Sequence, residues 1–211
     1  MNKAIKKIIK GTFLYNIYRY FQLKKELQNW HKKGKSISLP SLMKQKIVKE
    51  YAKKFNISTF IETGTYMGDM VNATKKIFKK IYSIELDNKL SEEAKNRFSR
   101  FANIEIIHGD SKDILPRILS NITEPCLFWL DAHYSGGITA RGKKETPIME
   151  ELNCILSHPL KGTFVILIDD ARLFIGLNDY PDIKEIKSII YKKYPGWMLE
   201  IKDDIIRIHG K

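Results

Sequence analysis

From Ser58 onward the chain alternates between short apolar runs and longer stretches of mixed polarity. STFIETG, KIYSIELD, IEIIHGD, PCLFWLDAH and TFVILIDD are runs of strand length that end in acidic residues or glycine. After them, DMVNATKKIFKK, LSEEAKNRFSRF, SKDILPRILSN, PIMEELNCILSH and DIKEIKSIIYKKY repeat apolar residues at helical spacing. Near-continuous apolar strands alternating with helices predict a parallel sheet covered on both faces. The closing stretch WMLEIKDDIIRIHG reads as two more strands joined at Asp203-Asp204, an antiparallel hairpin for one edge. The expected fold is an open, doubly wound α/β sheet, whose ligands bind beyond the carboxyl ends of the strands.

Before Ser58 the pattern changes. Ile5, Ile8, Ile9, Phe13, Ile17 and Phe21 recur at spacings of three or four, with Lys3, Lys6, Lys7 and Lys10 between them. This predicts a basic amphipathic helix over 3–30. It suits docking on an anionic membrane surface or on a biosynthetic complex, and equally a helix packed on its own domain or on a second subunit. Gly34 to Pro40 reads as a linker and Ser41 to Phe55 as another helix. The expected division is a helical extension over 1–55 and a sheet domain over 56–211.

Charge sharpens that division. The formal net charge is +13, and residues 1–55 hold 15 Lys/Arg against Glu26 and Glu50 alone, whereas residues 56–211 hold 22 of each sign. The basic surface is therefore local, which argues against a nucleic-acid footprint across the body. Cys126 and Cys154 suggest no disulfide framework, consistent with a reducing, cytoplasmic setting. No apolar stretch reaches the roughly 18 residues that span a bilayer. The basic N-terminus lacks a small-residue cleavage site, so no signal peptide is expected, and membrane association would be peripheral.

Each of the five parallel strands delivers a carboxylate to the same rim: Glu62, Glu85, Asp110, Asp131, and Asp169 with Asp170. Helix capping by Asp explains one or two such residues, but less readily all of them. The first turn, Glu62-Thr63-Gly64-Thr65-Tyr66-Met67-Gly68, lets backbone pass close to a ligand and opens a helix. It is not GxGxxG. Glu85 follows Gly64 by 21 residues at the end of the second strand, where a carboxylate can accept both hydroxyls of a ribose.

The acidic ExGxxxG turn, that ribose carboxylate, and Gly109-Asp110-Ser111 after the third strand together resemble the class I S-adenosylmethionine-dependent methyltransferases, with their Rossmann-like, seven-stranded sheet. The resemblance covers roughly residues 56–211. It implies that Glu62, Gly64, Thr65, Tyr66 and Gly68 line the methionine and ribose of the cofactor, and that Glu85 holds the ribose hydroxyls. Asp110 and Ser111 would lie by the adenine, and Asp131 would face the methyl group.

Base N-methyltransferases often carry (N/D)PPY after the fourth strand, and this chain reads DAHY there, which disfavours nucleic acid as acceptor. Asp131 with Asp169 and Asp170 instead resembles the metal set of divalent-cation-dependent O-methyltransferases, including the macrocin-type sugar enzymes. Three carboxylates without cysteine suit Mg²⁺ or another hard divalent ion; alternatively the Asp pair caps the next segment and Asp131 contacts the cofactor. A metal bridging hydroxyls would lower the acceptor pKa, with Asp131 or His133 taking the proton, although His133 also fits a structural hydrogen bond. The polar loop that follows, with Tyr134, Ser135, Gly136, Gly137, Arg141, Lys143 and Lys144, reads as a lid or as a solvated loop. Its cations suit a phosphorylated sugar, nucleotide sugar or glycan precursor. The expected activity is O-methylation of such a substrate at the cytoplasmic side of a membrane. The alternatives are an RNA methyltransferase gripping phosphates with the basic N-terminus, and a non-catalytic cofactor- or glycan-binding module.

Overall fold

The computed structural model describes residues 12–34, 38–132, 146–159 and 164–210. Helices α1 (Phe13–Lys32) and α2 (Ser41–Lys54) lead into strand β1 (Thr59–Thr63). There follow α3 (Asp69–Thr74), β2 (Lys80–Glu85), α4 (Asn88–Phe98), β3 (Ile104–His108), α5 (Ser111–Leu119) and β4 (Cys126–Leu130). Helix α6 (Ile148–Ser157), β5 (Val165–Ile168), a 3₁₀ turn (Ala171–Leu173), α7 (Ile183–Lys193), β6 (Met198–Lys202) and β7 (Ile205–His209) complete the chain.

The strands form one seven-stranded sheet in the order β3-β2-β1-β4-β5-β7-β6. β1 to β5 are parallel, and β7 runs antiparallel to both β5 and β6. Alternation along each strand divides the core in two. Ile61, Phe128, Leu130, Ile166 and Ile208 face α5, α6 and α7, packing with Leu115, Leu152 and Ile186. Phe60, Leu127, Trp129 and Leu167 face the other way and meet Val48 and Tyr51 of α2, Val71 of α3 and Phe98 of α4. Strands β1, β4, β5 and β7 are buried along their whole length, which is why they read as continuous apolar runs. β3 and β6 are the sheet's edges and are only partly covered, so among the parallel strands the expectation of two covered faces holds for the centre and not for β3, while the closing hairpin takes the expected edge.

One local expectation needs correction. The helix expected over DMVNATKKIFKK ends at Thr74, because the chain turns to bury Phe78, whose ring stacks on Phe60 at 4.9 Å. The apolar stripe of the first helix, which suits docking or packing alike, points outward in its described part: Ile17 and Phe21 are exposed, Phe21 at 64%. α1 instead buries Tyr15 and Leu23. The closing hairpin turns on Asp203 and Asp204 as expected, and both have positive φ (55° and 58°), as a two-residue hairpin turn of the primed kind requires. Cys126 and Cys154 are free thiols, buried and half-buried.

Candidate functional site

β1 and β4 are neighbours although the chain visits β2 and β3 between them, so the strand order reverses there. A crevice opens beyond the carboxyl ends of strands at such a reversal. Thr63 pairs with Leu130 across this junction, which sets Gly64 beside Asp131. A Cβ on Gly64 would lie 2.5 Å from the Asp131 carbonyl oxygen, and the residue has φ +89°, so glycine is required twice over.

The turn after β1 is held by its own side chains. Ser83 of β2 donates to Glu62 Oε2, and the Thr65 and Ser83 hydroxyls are 2.6 Å apart. Glu62 is buried, and burial pushes its carboxyl well above the usual range. Tyr66 adopts φ 48°, which turns its amide to donate to Glu85 Oε2 at 2.7 Å. Asp87 N–H donates to Glu85 Oε1 at 2.9 Å. Burial raises Glu85, and these amides partly offset the rise. Each Glu85 oxygen takes one of these amides, which fixes the carboxylate at the end of β2.

Capping accounts for part of the acidic rim. Asp87 caps α4 by accepting from Leu90 N, and Asp110 caps α5 by accepting from Lys112 N while also pairing with the Lys112 ammonium at 2.6 Å. Ser111 is buried behind Asp110. There α6 contributes Glu151, fully buried, whose carboxyl is pushed up to about 7 by desolvation and only partly eased by hydrogen bonds from Ser111 and Thr63.

Asp131, Asp169 and Asp170 converge: one oxygen from each lies within 4.8 Å of the others. Asp170 sits in the left-handed region (φ 56°), and its N–H donates to Asp169 Oδ1 at 2.9 Å. This bend re-aims Asp170 toward the same rim as Asp169. Arg172 donates to Asp170 Oδ1 at 2.6 Å and also pairs with Asp204 of the closing hairpin turn. Burial, and then the charge of Asp131, push the Asp169 carboxyl upward, and the Lys44 ammonium works against that shift. The donors are all hard oxygens, which fits a divalent ion such as Mg²⁺.

The N-terminal helices reach both parts of this crevice. Arg19 of α1 bonds the Asp69 carboxylate, and Arg97 of α4 bonds the Met67 carbonyl and accepts company from α1, donating to Asn16 Oδ1 at 2.8 Å. Lys44 of α2 forms a salt bridge with Asp169. None of Arg19, Lys44, Asp69, Arg97, Glu151 or Arg172 was visible as a site residue from the strand-end pattern. For two of them a signal exists: Lys44 stands in the stripe of Ile47, Val48 and Tyr51, and Arg19 in that of Tyr15 and Leu23. A cation in a buried helical stripe implies a buried partner. Glu62, Gly64, Thr65, Tyr66, Gly68 and Glu85 form the turn, Asp110 and Ser111 lie at the end of the neighbouring strand, and Asp131, Asp169 and Asp170 form the acidic cluster. His133, Tyr134, Ser135, Gly136, Gly137, Arg141, Lys143 and Lys144 lie outside the described residues.

No family model matches the chain, and no curated protein matches it. Among solved structures, the chain is similar to the O-methyltransferase TomG from Streptomyces achromogenes, involved in tomaymycin synthesis and in complex with SAM. That likeness has TM-score 0.60 at 17% identity, over 89% of this chain and 87% of the other. It is similar to the 23S rRNA methyltransferase ErmE, with TM-score 0.52 at 15% identity, over 82% of this chain and 70% of the other. It is also similar to an O-methyltransferase from Bacillus cereus in complex with SAH, with TM-score 0.56 at 14% identity, over 98% and 96%. At these identities the shared property is the Rossmann-like methyltransferase fold.

Proposed function

We propose that the protein is an S-adenosylmethionine-dependent O-methyltransferase acting on a hydroxyl of a sugar, nucleotide sugar or glycan precursor. The observation that carries the reading is the meeting of an acidic glycine turn with the Asp131 rim at the reversal of strand order, Gly64 lying against the Asp131 carbonyl. In this reading Glu62, Gly64, Thr65, Tyr66 and Gly68 receive the methionine end, and Glu85 accepts from the ribose hydroxyls. Asp110 and Ser111 lie toward the adenine. The buried Glu62 carboxyl would then be matched by the cofactor's ammonium.

Asp131, Asp169 and Asp170 would hold a divalent ion, which when bound supplies a Lewis acid that makes an acceptor hydroxyl easier to deprotonate. The chain's own part is to orient that hydroxyl in line with the methyl group. Asp131 or His133 would take its proton. A sugar or glycan acceptor is supported by the resemblance of this carboxylate set to sugar O-methyltransferases and by the cations Arg141, Lys143 and Lys144. Residues 56–211 carry the chemistry in this reading, and residues 1–55 form a basic extension that also docks on an anionic membrane surface. Exposed Leu14, Ile17 and Phe21 beside Lys24 and Lys25 support that docking. Among the described residues no helix is long and apolar enough to cross a membrane.

The test is calorimetric titration with S-adenosylhomocysteine, followed by turnover of S-adenosylmethionine with a panel of nucleotide sugars, with and without EDTA. Saturable binding that Glu85→Ala weakens, and chelator-sensitive turnover, are expected. Absence of cofactor binding by the folded wild-type protein overturns the proposal. Turnover indifferent to EDTA removes the ion from it.

A further inference from the structure

Lys44 lies on α2, a helix outside the parallel βα repeat, and its side chain crosses to the tips of β4 and β5. It makes a salt bridge with Asp169 and lies 3.9 Å from Asp170 Oδ1. Its side chain is only 17% exposed and that of Asp169 only 1%. On the far side, Arg172 is shared between Asp170 and Asp204. A protein cation thus already stands on the carboxylates whose chemistry fits a divalent ion. Buried carboxylates require a compensating charge, and an ammonium supplies one as a compact point charge with three donors. A divalent ion and an ammonium held by the same oxygens would repel each other strongly at this depth.

We infer that Lys44 is the resident cation of the Asp131–Asp169–Asp170 rim, and that a divalent ion takes this rim only by displacing the Lys44 ammonium. The inference rests on the proposed function for the ion, and it assigns Lys44 a positioning role. Lys44 keeps the carboxylates together before an ion arrives and sets how tightly the ion is held. Displacement breaks its pairing with Asp169 and sends the ammonium toward solvent, so binding is weaker than the three carboxylates alone would give.

The experiment uses the full chain and Mn²⁺ as probe. Free Mn²⁺ is followed by electron paramagnetic resonance in the wild type, Lys44→Met and Lys44→Arg, with S-adenosylhomocysteine titration as the control for an intact fold. Lys44→Met should bind Mn²⁺ at least tenfold more tightly than wild type, and Lys44→Arg should stay near wild type. Independently, amine labelling of the wild-type protein, mapped by mass spectrometry, should increase at Lys44 when Mn²⁺ is saturating. Equal or weaker Mn²⁺ binding in a Lys44→Met protein that still binds S-adenosylhomocysteine overturns the role of Lys44 and leaves the ion site standing. Labelling at Lys44 unchanged by bound Mn²⁺ overturns it also, even where the Met variant does not fold. Cofactor binding without Mn²⁺ uptake in either protein overturns both the inference and the ion, while the methyltransferase reading stands.

Discussion

Arg19 of α1 holds the carboxylate of Asp69, the first residue of the helix that follows the glycine turn. Its Nε donates to Oδ1 at 3.3 Å and to Oδ2 at 3.1 Å, and NH2 also donates to Oδ2. Residues 50 positions apart are thereby joined, and Gln45 of α2 adds a bond to the Asp69 carbonyl. The turn proposed to receive the cofactor is braced by the N-terminal extension rather than by the sheet alone.

Arg19→Ala should therefore weaken S-adenosylhomocysteine binding about tenfold, the scale of one charge-assisted hydrogen bond. Arg19→Lys should restore part of it. Calorimetric titration alongside thermal unfolding separates this from general destabilisation. A fall in melting temperature without a change in affinity would show that the brace does not reach the turn.

Glu85 already accepts amides from Tyr66 and Asp87, so replacing one of its oxygens with an NH₂ group sets donor against donor. Glu85→Gln should cost roughly 1.5–3 kcal/mol in S-adenosylhomocysteine binding, read as at least a tenfold rise in Kd. Unchanged Kd would place the ribose elsewhere.

Gly64→Ala tests the crevice itself. The new methyl group would enter the space of the Asp131 carbonyl, and the left-handed backbone adds strain of about 1–3 kcal/mol. A melting temperature lower by several degrees and loss of cofactor binding are expected together. A variant with wild-type melting and affinity would mean that β1 and β4 ends are less closely apposed than described.

Glu151 gives stability a pH slope. Its carboxyl titrates near 4.5 when unfolded and is pushed up to about 7 in the fold by desolvation. The folded state thus keeps a proton that the unfolded state releases, and stability falls as pH rises from 4.5 to 7. The contribution is fully present below the unfolded value and is lost by the folded one, a span of about 3 kcal/mol. Urea unfolding of wild type and Glu151→Gln at pH 4.5, 6 and 7.5 isolates it. The difference between the two should shift against the wild type across that window; a constant difference would show that Glu151 is ionised in the fold.

The sheet was legible because its inner strands are buried on both faces, so CLFWL and VILI carry their own assignment. The turn glycines and strand-end carboxylates were legible because parallel topology sends every strand's carboxyl end to one rim. Asp110 was ambiguous, since the same position suits a cap and a ligand, and the structure shows it capping. Docking and packing both stayed open for α1 because Tyr15, Arg19 and Leu23 form a buried face containing a charge, and hydrophobic periodicity gives such a face little weight. Lys44 was hidden for a different reason: its partner Asp169 lies 125 residues away, and only the folded sheet brings α2 over β5. Glu151 stands in an ordinary amphipathic helix, and nothing local marks it as the residue aimed inward.

The position of β7 between β5 and β6 has a consequence for synthesis. Ile205–His209 is made after the other six strands of the sheet, yet it is buried throughout and fills an interior place in it. While the chain is being translated, β5 has an open hydrogen-bonding edge and Ile166, Ile168 and Phe164 lack their final neighbours. β6 emerges earlier and, among the described residues, pairs with β7 alone, so it cannot cover that edge in its stead. The nascent protein therefore carries an exposed apolar strand edge until β7 leaves the ribosome, the interval in which a chaperone has most to protect.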